Sequence, residues 1–146
     1  TGNRGEGTSS YRSFDRDHEI TASTEAPIFG SSDPAFRGDP SRWNPEQLLL
    51  ASVSQCHLLW YLHLAAVAGV VVTGYVDHPT GVLREDEDGG GQFTNITLHP
   101  AVTIVDAEQR GLAESLHRDA NAKCFTARTL NLPVGHAPTT LVATPT

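Results

Sequence analysis

The order of sequence patterns along the 146 residues predicts an α+β protein. A polar strand, a long helix, a hairpin, a second helix and a last strand follow one another, and this grouping is typical of α+β domains. Two observations carry the prediction: a continuous apolar segment from Pro45 to Ala68, and strand-like segments on both sides of a glycine cluster at 89–91. A chain of this length suits one domain, which we expect to span residues 1–146.

The composition excludes several classes of protein. The net charge is −7 and no basic stripe is visible, so a nucleic-acid partner is not expected. No run of 18 or more uncharged apolar residues occurs, which argues against a membrane span. No signal peptide is recognisable, and we expect a cytoplasmic protein.

The N-terminal third predicts one strand and one long loop. The segment Gly7 to Ala22 has β-branched and aromatic residues broken by charge, as in a polar edge strand. The segment Pro27 to Trp43 is rich in proline and glycine, which predicts a loop. Loops of this length in a compact domain are usually functional or disordered.

The first helix has clear boundaries. Asn44 suits the N-cap, Pro45 the first helical position, Glu46 the first turn and Gly69 the residue after the helix. Apolar residues cover nearly every direction around the segment, and a helix of this kind must be buried on all sides. A single domain of this size cannot enclose such a long rod, so we expect a homodimer.

The second half predicts a hairpin, a helix and a final strand. Segments 70–86 and 92–105 read as the strands of a long β-hairpin with an irregularity near Pro100. Asp106 suits the N-cap of the second helix, and Cys124 lies at the end of that helix. The apolar face of this helix is formed by Leu112, Leu116 and Ala120.

The two cysteines leave two interpretations open. They lie too far apart in sequence for a zinc ribbon, and two cysteines do not make a secreted disulfide framework. Cys56 falls on an apolar stripe of the long helix, where a free cysteine is commonly a small packing residue. Alternatively, Glu46 at the start of that helix and Arg37 or Arg42 in the preceding loop could favour a reactive thiolate.

Two motifs resemble those of the OsmC/Ohr family of thiol peroxidases. The first is NPEQLLLASVSQCH at 44–57, with an Asn-Pro-Glu-[Glu/Gln]-Leu opening and a cysteine about three turns later in the helix. The second is LHRDANAKCFTARTLN at 116–131, with a cysteine after an alanine-containing helix. The order of the motifs and the glycine-turned hairpin between them agree with the family pattern.

The resemblance implies an activity and roles for individual residues. Cys56 corresponds to the peroxidatic cysteine, Cys124 to the resolving cysteine, and Glu46 to the glutamate that orients an arginine. The implied reaction is reduction of organic hydroperoxides through a Cys56 sulfenic acid and a Cys56–Cys124 disulfide, with an external dithiol as reductant. The resemblance implies no bound cofactor and no metal.

The same resemblance implies the arginine and the architecture. Arg37 best matches the family arginine, while Arg16 and Arg42 remain alternatives because branches of the family place this residue in different loops. The implied fold has antiparallel sheets around a long buried central helix, in an intertwined homodimer with active sites at the subunit interface.

Other side chains are open to a functional or a packing interpretation. An apolar mouth that prefers alkyl or lipid hydroperoxides could be formed by Phe36, Trp43, Leu59, Trp60 and Phe125, although core packing explains each as well. His57 would point about 100° away from Cys56 on a helix, which disfavours a Cys-His nucleophilic pair. A non-catalytic protein of the same fold, binding a small apolar ligand or sensing redox state, is the alternative function.

Overall fold

The structure, a computed structural model, describes residues 4–144. The chain divides into two compact units, Thr1–Leu49 and Leu50–Thr146. The elements, in chain order, are β1 (His18–Ile20), β2 (Ile28–Gly30), α1 (Pro45–Ala68), β3 (Val72–Val76), β4 (Thr80–Glu85), β5 (Gly91–Leu98), β6 (Ala101–Ile104), α2 (Arg110–Lys123), α3 (Phe125–Thr129), β7 (Val134–His136) and β8 (Thr139–Val142). The predicted α+β class is confirmed.

In the first unit, the predicted edge strand is short. Of the segment predicted as a strand, only β1 forms one. It pairs antiparallel with β2, which lies inside the segment predicted as a loop. Upstream of β1, the Ser13 hydroxyl donates to the carbonyl of Ser10 at 2.8 Å. Serine side chains that bond nearby backbone groups compete with strand pairing, which explains the turns found there.

The boundaries of α1 are those predicted. The Gln47 backbone N–H donates to Asn44 Oδ1 at 2.8 Å, and the Asn44 N–H donates to Gln47 Oε1 at 3.1 Å. This reciprocal capping satisfies two backbone donors at the helix start. Gly69 follows the helix with a φ of 74°, in the left-handed region where glycine is favoured.

Only one stripe of α1 is buried in the single chain. Its members, Val53, His57, Tyr61 and Ala65, are spaced four residues apart. Other apolar residues stay exposed, with Leu59 at 64% and Val67 at 74% of their full accessibility. By length and composition alone, α1 could also cross a membrane, although a core helix of a soluble protein passes the same test.

Strands β3 to β8 form two three-stranded sheets in the second unit. The predicted hairpin is present as two antiparallel pairs that follow one another along its length, β4 with β5 and β3 with β6, and Pro100 lies at the break between β5 and β6. Strand β7 then adds parallel to β5, and β8 adds parallel to β6. The sheets are therefore mixed, which differs from the predicted wholly antiparallel arrangement.

The two central strands carry the core residues at alternate positions, as expected for half-buried strands. Val102 and Ile104 of β6 belong to one apolar cluster with Tyr61 and Ala65 of α1. A second cluster is formed by Val53, Ile96, Leu98 and Val134. The buried stripe of α1 therefore contacts both clusters, and His57 lies between Val53 and Tyr61 on it.

Helix α2 follows a short 3-10 turn. Asp106 caps that turn by accepting the Glu108 N–H at 2.9 Å, so its predicted capping role applies to the turn and not to α2 itself. Leu112, predicted on the buried face, is 42% exposed. The buried face is instead formed by Ala113, Leu116, His117 and Ala120.

Candidate thiol site

The two cysteines come together in the second unit. Cys56 is half-buried on α1, and Cys124 is buried at the junction between α2 and α3. Both are free thiols, and they lie close enough for each to shift the pKa of the other. Two residues far apart in sequence therefore form one dithiol site.

The start of α3 is built around Cys124. Cys124 is the N-cap residue, and its Sγ accepts the backbone N–H of Ala127 at 3.4 Å. The same sulfur also shares a hydrogen bond with the Thr126 hydroxyl at 3.2 Å. These contacts fix the position of the Cys124 side chain at the point where the helix begins.

The surroundings distinguish the two thiols. Burial acts to raise the pKa of Cys56, but hydrogen bonds from Cys124, from Thr126 and from the Phe125 backbone act against burial, and the net pKa is lowered. Burial raises the pKa of Cys124, and its bond to Cys56 raises that pKa further. Cys56 is therefore the more readily ionised sulfur, with Cys124 as a thiol donor beside it.

An apolar hollow lies one turn along α1 from Cys56. It has a volume of about 230 Å³ and is lined by Leu59, Trp60 and His63. The rings of Trp60 and Phe125 contact edge to face, with centroids 6.1 Å apart, and Phe125 is 73% exposed. Of the aromatic residues predicted to form a mouth, these two lie in the unit that holds the thiols, whereas Phe36 and Trp43 are exposed in the other unit.

Glu46 and Arg37, the other predicted site residues, belong to the first unit. Glu46 is half-buried in the first turn of α1. Arg37 follows a 3-10 turn with a φ of 67°, unusual for a residue other than glycine. Its side chain is exposed, and within residues 4–144 it makes no ion pair or hydrogen bond, including with Glu46.

The two alternative arginines are already engaged within the first unit. The Arg16 guanidinium donates to the Tyr11 carbonyl at 2.8 Å and lies 4.0 Å from the centre of the Phe14 ring. The Arg42 guanidinium pairs with Asp17 at 3.4 Å. Of the three candidate arginines, Arg37 is therefore the one whose guanidinium makes no ion pair or hydrogen bond within the described part of the chain.

Sequence reasoning missed a buried histidine pair. His57 Nε2 and His117 Nδ1 share a hydrogen bond of 3.0 Å, and neither residue is exposed to solvent. The His117 ring stacks on Tyr61 with centroids 4.1 Å apart, and His136 of β7 packs beside both histidines. The side chain of His57 is thus engaged in the core, as its helical direction away from Cys56 predicts.

The pKa values of these histidines are low. Burial lowers the pKa of His57 to about 4 and that of His117 to about 3, so both rings are neutral at pH 7. Among the described residues, no group of three or more His, Cys, Asp or Glu side chains is arranged to hold a metal ion.

A long capped helix carrying one cysteine, with a second cysteine beside it at a helix junction, defines an α+β protein with a dithiol site. The sequence model of the OsmC-like protein family matches residues 38–136. The chain belongs to this family. No sequence among the curated proteins matches it.

Solved structures have the same fold. An OsmC-like protein of unknown function from Vibrio cholerae is 25% identical, with a TM-score of 0.77 over 86% of this chain and 85% of that one. An organic hydroperoxide resistance protein from Elizabethkingia anophelis is 18% identical, with a TM-score of 0.68 over 86% and 89%. One from Bacillus subtilis is 23% identical, with a TM-score of 0.56 over 84% and 97%.

Proposed function

We propose that this protein is a thiol peroxidase that reduces organic hydroperoxides to alcohols. The Cys56 thiolate attacks the distal oxygen of ROOH, the O–O bond breaks, and the alkoxide leaves and takes a proton to give ROH. Cys56 becomes a sulfenic acid, and the Cys124 thiol condenses with it to form a disulfide and water. An external dithiol then restores both thiols by exchange and is itself oxidised.

The observation that carries the proposal is the proximity of the two thiols, each of which shifts the pKa of the other. A disulfide requires Cα atoms about 4.4–6.8 Å apart, a condition that two neighbouring thiols can meet with little movement. The lowered pKa of Cys56 supports its role as the attacking sulfur, since the thiolate is the nucleophile. The raised pKa of Cys124 suits a group that waits as a thiol until the sulfenic acid forms.

The apolar surface near Cys56 supports an organic rather than an inorganic peroxide. Trp60 lies one turn beyond Cys56 on α1, and Phe125 is adjacent to Cys124. Their rings offer an apolar contact to an alkyl chain, whereas hydrogen peroxide gains nothing from such a surface. We expect Trp60→Ala to weaken the reaction with a long-chain hydroperoxide more than the reaction with hydrogen peroxide.

For the remaining site residues, the proposal assigns Arg37 as the arginine and Glu46 as the carboxylate that orients it. A guanidinium can stabilise both the thiolate and the charge on the leaving alkoxide, and loss of one such donor costs roughly 10²–10³ in rate. Arg37→Gln is therefore expected to slow peroxide reduction by about two orders of magnitude. Arg42→Gln is the matched control, because the guanidinium of Arg42 is paired with Asp17.

The proposal places the chain in a cytoplasmic homodimer that covers the exposed faces of α1. Leu59 and Val67 leave a large apolar surface that a second copy can bury. This occupant suits α1 better than lipid does, because the helix also carries polar side chains including Gln47, Gln55 and His63. Sedimentation of the purified protein should give twice the mass of one chain, and a monomeric mass would contradict the assembly.

The test of the activity is hydroperoxide consumption with a dithiol supplied. Parent protein should turn over, Cys56→Ser should be inactive, and Cys124→Ser should form one sulfenic acid per chain and no intramolecular disulfide. Equal rates for parent and Cys56→Ser would exclude the peroxidase. Rapid oxidation of Cys56 without turnover by any dithiol would instead indicate a redox sensor.

A further inference from the structure

The buried hydrogen bond between His57 and His117 connects the two helices that carry the cysteines. His57 directly follows Cys56 on α1. His117 lies on α2 about two turns before Cys124, which ends that helix. The bond at 3.0 Å is therefore the buried polar link between the two helices that lies nearest to both thiols in the described chain.

A second polar link between the same helices lies further from the thiols. The Tyr61 hydroxyl donates to the Ala113 carbonyl at 3.0 Å. Tyr61 is one turn beyond His57 on α1, and Ala113 is one turn before His117 on α2. Along α1 the order is therefore cysteine, histidine, tyrosine, and the residues that face them follow in the reverse chain order on α2. The histidine pair lies between the cysteine pair and the Tyr61–Ala113 bond.

The histidine pair is kept in the core although its bonding is incomplete. Within residues 4–144, His57 Nδ1 and His117 Nε2 are buried and have no hydrogen-bond partner. A buried polar group without a partner costs about 1–3 kcal/mol, so an apolar pair of similar size would pack there at least as well. A buried polar pair can specify one relative placement of its two helices, because only that placement keeps the hydrogen bond between them.

We propose that His57 and His117 are positioning residues: the hydrogen bond between them fixes the placement of Cys56 against Cys124 and so sets how readily the disulfide forms. The proposal rests on the proposed function for its biological meaning. Its physical content concerns only the two thiols and the disulfide, and it can be tested without any hydroperoxide.

The atoms involved give a crossed pair of variants. His117 bonds through Nδ1, and the side-chain amide of an asparagine lies at the same distance from the backbone as that nitrogen. His57 bonds through Nε2, and the longer glutamine places its amide at that position. His117→Asn and His57→Gln therefore preserve the link, whereas His117→Gln and His57→Asn break it. Tyr61→Phe is the control, because it removes a buried bond between the same helices that is one turn further from the thiols.

The experiment equilibrates each full-length variant with mixtures of reduced and oxidised dithiothreitol and counts free thiols by alkylation and mass spectrometry. Two electrons and two protons pass between the protein dithiol and the cyclic disulfide of the reagent. We expect His117→Gln and His57→Asn to lower the disulfide equilibrium constant about tenfold, or about 30 mV. The two link-preserving variants and Tyr61→Phe should stay within about threefold of the parent.

Equal constants for Asn and Gln at each position would overturn the proposal, as would an equal loss in Tyr61→Phe. If one link-breaking variant loses its folded circular dichroism spectrum, the variants at the other position decide the outcome. Failure of the peroxidase proposal would appear separately, as absence of hydroperoxide consumption by a parent protein that still forms the disulfide normally.

Discussion

The Sγ of Cys124 lies 3.4 Å from the backbone nitrogen of Ala127 and accepts its N–H, so the sulfur that lies beside Cys56 also begins α3. One side chain thus fixes a helix end and faces the second thiol. The orientation of the Cys124 side chain comes from the backbone of the next element. Substitutions that move the backbone of this short segment should therefore change the chemistry of Cys56.

Removing the Cys124 donor should raise the pKa of Cys56. Burial already opposes the Cys56 thiolate, and the Cys124 hydrogen bond is the largest of the contributions that favour it. Cys124→Ala removes that donor, whereas Cys124→Ser retains an O–H in its place. The pH dependence of Cys56 alkylation by iodoacetamide measures the pKa, which should be higher in Cys124→Ala than in Cys124→Ser. Identical profiles would show that the bond does not tune Cys56.

Thr126 should tune both thiols. Its hydroxyl lowers the pKa of Cys56 and of Cys124, against the opposing effect of burial in each case. Thr126→Val keeps the shape and the backbone N–H but removes the hydroxyl, so the pKa of each sulfur should rise. Thr126→Ser, which retains the hydroxyl, is the control. Alkylation rates at pH 7 should fall about two- to tenfold in the valine variant only, following the smaller thiolate fraction.

The stability of the protein should fall in mild acid because of the buried histidines. Burial, together with the neighbouring histidines, holds the pKa values of His57 and His117 at about 4 and about 3, below the ordinary value of 6.5. The unfolded chain therefore binds protons more strongly than the folded chain. This contribution to stability is complete above pH 6.5 and is lost as the pH falls towards the folded values.

The measurement is the free energy of unfolding by urea between pH 7 and pH 5. Each proton taken up on unfolding should contribute a slope approaching about 1.4 kcal/mol per pH unit. His117→Asn removes one titrating ring and should flatten the dependence. A stability that does not change over this range would contradict the assignment of two neutral buried histidines.

Core packing predicts a large loss of stability at Leu98. This side chain is fully buried in β5 and packs in the cluster that contains Val53 and Ile96. Leu98→Ala should lower the free energy of unfolding by about 2–5 kcal/mol. Leu141→Ala is the control, because Leu141 is 51% exposed on β8 and its loss should cost less than about 1 kcal/mol. Equal losses at both positions would contradict the observed burial.

The parts of the fold that local chemistry determines were predictable from the sequence. The capping residues of α1 and the glycine after it define that helix to the residue. The class and the hairpin follow from periodicity and the glycine cluster in the same way. Strand β7 was missed because it is three residues long and pairs parallel with a strand distant in sequence, and no local pattern encodes such a pairing.

The site was only partly predictable. Helical spacing gave the direction of His57 away from Cys56, but the presence of His117 at 3.0 Å depends on how two helices pack. Thr126 carried a local signal, since a hydroxyl two residues after Cys124 can bond a group at a helix start. The roles of Arg37 and Glu46 came from the family resemblance and remain predictions.

The segment from Val134 to Val142 supplies the third strand of both sheets, β7 to one and β8 to the other. Each of these strands joins a central strand made about thirty to forty residues earlier, so both unions close large loops. During synthesis, β5 and β6 must therefore wait with one open edge each until the chain through Val142 has left the ribosome. Folding of the second unit therefore cannot be completed before Val142 has emerged, and a nascent chain halted before Val134 would expose two unpaired strand edges to chaperones or to aggregation.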